Sequence, residues 1–279
     1  MQVQNTGINI WAGSKKTEQT LKRTSKELNR ILEKLSTSIR INSASDDAAG
    51  LAISEELTTR IRGYKMASQN IANSISAFTI ADGTGRAVSE ILQRQRELAA
   101  QASNSTLKDS DRVAIDKEFQ LLSKEIDRIS QSASFNKQGV AAGEGLASGS
   151  AVIQSGPEST DQITMPQIDL RTAITGISEV SLLTLEDAVK AIGTLDEAIS
   201  SVNTQRSTLG SAVNRLESTV NNLSVAIINT QAAESVIRDQ DMAAGLAELT
   251  RLQLLQEGSQ RAFSRFKTIN SNHILGLLG

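Results

Sequence analysis

Leu195, Ile199, Val202, Leu209, Val213, Leu216, Val220, Leu223 and Ile227 follow one another in alternating steps of four and three, with Arg206 as the one polar member of the series. A 3.5-residue repeat keeps its apolar side chains in one stripe along a helix, here nearly five heptads and about 50 Å at 1.5 Å per residue. Two positions in seven cannot wrap a globular core, so the stripe must face other helices. A chain containing such a segment is committed to a helical bundle.

The rhythm recurs. Leu57, Ile61, Tyr64, Ile71, Ile75 and Phe78 keep it, with Ser68 in the stripe, and so do Ile115, Phe119, Leu122, Ile126 and Ile129. Leu21, Leu28, Leu32, Leu35 and Ile39 repeat it near the N-terminus, with Ser25 as the polar step. Met242, Leu246, Leu249, Leu252 and Leu255 are apolar at helical spacing, less regularly. Two prolines in 279 residues leave little to interrupt these helices. The segments 1–40 and 241–279 carry seams and little else to bury, and such helices are marginal alone in water. They are therefore expected to pair with each other, or with copies of themselves, through Leu21, Leu28, Leu32, Leu35, Ile39, Leu246, Leu249, Leu252 and Leu255.

Breaks in the pattern fall at 43–47, 104–111 and 135–150. After the last of these, AVIQSGPES and DQITMPQIDLRT have strand character around a Gly156-Pro157 turn. The expected fold is mainly α: a long, coiled-coil-like bundle with both termini paired, plus one or two β-hairpins at residues 140–180. The corresponding division is 1–42 with 240–279 as terminal helices, 43–139 with 181–239 as a helical rod, and 140–180 as a small insertion.

Chemistry has little material. There is no cysteine and one histidine, His273, which leaves thiolate sites, Ser-His-Asp triads and multi-histidine metal sites unprovided. The adjacent acids Asp46 and Asp47 in RINSASDDAAG (40–50) are the strongest candidate for a site. Neighbouring residues on a helix point about 100° apart, so the two carboxylates do not converge on one ion. Calcium-loop and phosphate-loop patterns are also absent. The alternative is a helix start, with Ser45 as N-cap and the acids meeting the helix dipole in the first turn. No catalytic residue, metal or cofactor is expected.

Net charge is −2, with residues 1–40 at +5 from eight basic and three acidic side chains. A basic segment can serve nucleic acid or a membrane surface, but no aromatics interleave with these lysines and arginines. They read as the solvated face of an amphipathic helix, with neither nucleic acid nor membrane insertion expected. The N-terminus lacks the apolar core of a Sec signal, and no apolar run is long enough to span a bilayer. Composition alone therefore points to the cytoplasm.

RINSASDDAAGLAISEELTTRIRG (40–63) closely resembles the N-terminal signature of bacterial flagellin. ILQRQRELAAQASNST (91–106), KEIDRISQSASFN (124–136), QRSTLGSAVNRLESTVNNL (205–223), AAESVIRDQDMA (232–243) and the terminal HILGLLG follow in family order. The resemblance implies a structural subunit that self-assembles into the extracellular flagellar filament used for motility. In that family the termini form paired inner helices, and any large outer domain sits where this chain has only about 140–184. The implied partners are other copies of the chain, the filament cap, hook-associated junction proteins, an export chaperone and the type III export apparatus, which reverses the cytoplasmic expectation.

The resemblance also implies recognition by toll-like receptor 5 through Leu92, Arg94 and Leu98 in LQRQREL, with Glu118 on the next helix. Against this stands the plainer reading that the leucines are core and the charges surface. Departures from the family pattern are STS before RINSA and FNK after it, where glycine is usual at the third position. NTGINIWAGSKKTEQ is atypical too, and the proline common before the last leucines is missing. A minor flagellin or a hook–filament junction protein are the alternatives these departures keep open.

Overall fold

The computed structural model describes residues 2–278 apart from 144, 150, 175, 178 and 179. Side chains are described outside 1–10, 172–173, 270 and 273–279, so that of His273 lies outside the described residues. Helix α1 spans Gln2–Thr37, α2 Ala48–Ala102 and α3 Asp109–Ser132. Two short hairpins, β1 (Ser134–Phe135) with β2 (Gln138–Gly139) and β3 (Val152–Gln154) with β4 (Gln162–Thr164), precede the one-turn α4 (Leu170–Ala173). Helices α5 (Leu185–Arg238) and α6 (Met242–Leu278) complete the chain.

Helix starts sit where side chains satisfy the orphan amides of a first turn. Asp47 Oδ1 accepts the Gly50 amide at 2.9 Å, Thr184 Oγ1 that of Asp187 at 3.1 Å, and Asp241 Oδ1 those of Ala243 and Ala244 at 2.9 and 3.1 Å. The chain packs as two compact units, 60–229 and 1–59 with 230–279.

In the central unit, 60–229, the α5 seam divides in two. Leu195, Val202, Leu209, Leu216 and Leu223, seven residues apart, are buried, while Ile199, Arg206, Val213, Val220 and Ile227 are half-buried. One heptad position thus points into the core and the other runs along its rim. The polar member has its own partner: Arg206 Nε donates to Asp82 Oδ1 at 2.9 Å. Its stem crosses α2 at Gly85, where a Cβ would come within 2.9 Å of Arg206 Cγ.

The α2 seam does not stop at Phe78. Ala81, Val88, Leu92, Leu98, Ala99 and Ala102 continue as core. From there α2 faces two helices, α3 through Gln95 Nε2 to Phe119 O at 3.1 Å and α5 through Arg96 Nε to Asp196 Oδ1 at 2.6 Å. Two buried faces erase a heptad signature, so periodicity alone lost the segment. The C-terminus of α2 is held by Arg112, whose buried guanidinium donates to the Ala102 and Asn104 carbonyls, both at 3.0 Å.

Of the two hairpins, β3–β4 lies within the expected 140–180 segment, whereas β1–β2, at 134–139, lies wholly before it. The β1–β2 turn places Asn136 and Lys137 at φ 50° and 63°, the left-handed pair that suits a two-residue turn. FNK therefore puts lysine where glycine carries no steric penalty. The β3–β4 loop settles on α2, with Pro157 against Gly63, where a Cβ would lie 2.7 Å from Pro157 Cβ.

Candidate assembly surface

The stretch RINSASDDAAG is the joint between α1 and α2. Asp46 does not enter the first turn of α2. Its Oδ1 accepts Arg30 Nη2 at 2.6 Å and Nε at 3.0 Å, with Lys34 Nζ at 3.5 Å, while Oδ2 accepts the Asn42 and Ser43 amides at 3.2 Å each. The hydrogen bond from Arg30, the two amides and the Lys34 charge together hold this carboxyl well below the usual carboxylate range, against an opposing cost of burial. The expected cap on Ser45 is corrected: Asp47 caps the helix, and Ser45 Oγ pairs with Ser43 Oγ at 2.8 Å. The helix starts two residues later than the Ser45 cap implies, because Asp46 is turned back toward α1. Gly50 is required by space, since a Cβ there would come within 2.5 Å of Asp47 Oδ2 and 2.8 Å of Ile41 Cδ1.

A second joint lies alongside the first. Ile39 and Asp239 form an isolated antiparallel bridge, with the Arg40 amide donating to Arg238 O at 2.7 Å and the Gln240 amide to Ser38 O at 3.0 Å. The Arg40 guanidinium also donates to the Ile237 carbonyl. Ser38, the last residue of STS, has φ 59°, so this family departure too falls on a left-handed position that glycine fills without strain.

Helices α1 and α6 pair antiparallel: Leu35 lies over Gly245 and Phe266 over Gly13. Of the nine residues expected to mediate this pairing, Leu252 is buried, and Leu21, Leu28, Leu35, Ile39 and Leu249 are half-buried. Leu32, Leu246 and Leu255 stay exposed and lie outside the intrachain seam. Trp11, Met242, Leu254 and Ile269 are exposed as well, with Lys15 Nζ 4.7 Å from the Trp11 ring centroid.

On the central unit, Leu92 and Leu98 are 0% and 2% exposed. They are core, which corrects their place among the receptor-recognition candidates, since a side chain enclosed by its own helices cannot touch another protein. Arg94 and Glu118 are half exposed and joined at 2.9 Å, with Glu97 at 3.1 Å from Arg94. Glu118 first, then Glu97, raises the Arg94 guanidinium above its ordinary pKa. Among the described residues no three His, Cys, Asp or Glu side chains gather to hold a metal, and no helix is long and apolar enough to cross a membrane.

The bacterial flagellin N-terminal helical region matches residues 8–145, and the flagellin C-terminal helical region matches residues 192–278. A 31.3 kDa flagellar filament core protein of Treponema maltophilum is 39% identical over 261 residues, covering 88% of this chain and 91% of that protein. A flagellin of Halalkalibacterium halodurans is 40% identical over 258 residues, 92% of this chain and 88% of its own. A Treponema pallidum flagellin is 36% identical over 275 residues, 94% and 96% of the two chains. With paired terminal helices, a three-helix centre and likeness at both ends and across nearly the full length of these proteins, the chain belongs to the bacterial flagellin family.

Proposed function

We propose that this flagellin polymerises through the apolar faces of α1 and α6 that its own fold leaves uncovered. It is a structural subunit of the flagellar filament, and none of the reported relatives favours a hook–filament junction part. The carrying observation is the terminal pair itself, in which Trp11, Leu32, Leu246, Leu254 and Leu255 are 45–65% exposed. Large apolar side chains in such density on two adjoining helices are a surface for association. Residues 1–42 with 240–279 form the assembly segment in this reading, 43–139 with 181–239 the rod, and 140–180 a compact insertion. The filament is extracellular, reached by type III export, with a chaperone, a cap and junction proteins as transient partners.

Purified chain mixed with filament fragments is expected to elongate them under negative-stain microscopy. Chain lacking residues 1–40 is not expected to do so. Equal elongation by both would sink the assignment of assembly to the terminal helices.

Arg94 and Glu118 are the remaining candidates for toll-like receptor 5, as an exposed charged pair on adjoining helices. Arg94→Ala and Glu118→Ala are each expected to weaken binding of the receptor ectodomain several-fold. An affinity unchanged in both would remove these residues from recognition.

A further inference from the structure

Two apolar features of the central unit are left over by its own packing. One is a half-open groove of about 250 Å³ between the β3–β4 hairpin and α5, walled by Phe78, Ile163, Met165, Ala212 and Leu216 with Arg215 at its rim. The Arg215 guanidinium has no partner among the described residues; only its backbone carbonyl is engaged, by Thr219. The other is a ridge at the start of α5, where Leu183, Leu185 and Val189 are 45%, 40% and 53% exposed. Leu185 and Val189 stand one turn apart with Glu186 and Asp187 beside them, which makes this an acidic apolar ridge.

We propose that the ridge of one copy seats in the groove of another, with Glu186 facing Arg215. This rests on the filament-subunit reading above and names a contact within it. The groove lies below the ~300–1,000 Å³ of sites that hold drug-sized ligands, so it suits a few aliphatic side chains. Its unpaired cation calls for an acid beside them. The ridge supplies both, since among the described residues Glu186 is tied to Lys190 alone, through an exposed pair at 2.8 Å that exchanges readily. The ridge cannot fill its own groove. Residues 185 and 212 lie on one continuous helix, 212 − 185 = 27 residues apart, or about 40 Å. Two different patches on one chain make a heterologous contact, which propagates without closing.

The absence of cysteine provides a clean test. In a chain carrying both Leu185→Cys and Ala212→Cys, the two thiols are too far apart to join within one copy. Oxidation after elongation of filament seeds is expected to give a ladder of reducible oligomers on a denaturing gel. Each single variant should give at most dimers. Filaments of ordinary appearance that yield no ladder would overturn the pairing. Charge exchange tests it without cysteines: Arg215→Glu should slow elongation roughly tenfold or more, and adding Glu186→Arg should restore it. Elongation by Arg215→Glu at the wild-type rate would also overturn it. Wild-type chain that fails to elongate seeds would instead count against the filament-subunit reading, and this contact falls with it.

Discussion

Phe119→Ala is expected to destabilise the central unit by about 3–5 kcal/mol. The ring is fully buried at the middle of α3, opposite the segment of α2 that carries Leu92, Gln95 and Leu98. The Phe119 carbonyl accepts Gln95 Nε2 at 3.1 Å and Ser123 Oγ at 3.1 Å, so the backbone around the ring is pinned from both helices. A pinned site collapses poorly, and the cavity left by the ring keeps most of its volume. Urea denaturation should show a lower midpoint at unchanged slope, which marks lost stability and not a changed denatured state. Leu121→Ala, two residues away and 66% exposed, is the control and should stay within about 0.5 kcal/mol. Similar losses for the two variants would mean that α3 is not packed as described.

Asp46→Asn is the second large effect, at about 2 kcal/mol on the terminal unit near neutral pH. The carboxylate is 8% exposed and is the shared acceptor of Arg30, Lys34 and two backbone amides. Asparagine keeps the shape and removes the charge that both cations face. Arg30 is 56% exposed, so water compensates part of its loss and keeps the figure below that of a fully buried pair. The folded state holds this carboxyl below its ordinary pKa. Its contribution is therefore complete above the unfolded carboxylate value, about pH 4, and is lost as pH falls below that toward the folded value. A pH series of denaturation curves should show wild type and Asp46→Asn converging below about pH 4. Parallel curves down to pH 2.5 would show that Asp46 does not hold the joint.

The sequence disclosed the helices because heptads are a local signal: the seams at 57–78, 115–129 and 195–227 lie on helices, and that at 21–39 does so up to Thr37, with Ile39 in the bridge to Asp239. Beyond Phe78 it marked α2 as helix within the 43–139 rod but not which residues face the core, because a helix flanked on two sides shows no single stripe. Ser45 reads as a cap because hydroxyl and acid both suit that position; the contact of Asp46 with Arg30, sixteen residues upstream, moves the helix start to Asp47. Arg112 gave no signal at all. A basic residue in an amphipathic helix reads as surface until the neighbouring helix ends beside it with open carbonyls. The departures STS and FNK were visible only against a family pattern, and their meaning needed backbone angles: Ser38 and Lys137 both occupy left-handed positions. Leu92 and Leu98 show the converse, since a motif marks a helix without telling which of its faces is inside.

The antiparallel pairing of α1 with α6 also fixes a timetable. Every residue from 38 to 241 separates the two partners in the chain. Contacts so distant in sequence must close the largest loop the molecule contains before they return any stabilisation, and such contacts form slowly. The central unit has its partners within 60–229 and can organise first. A subunit delivered as an extended thread would thus fold its middle first, while its two ends are still searching for one another. During that interval each end is free to find the ends of its neighbours instead.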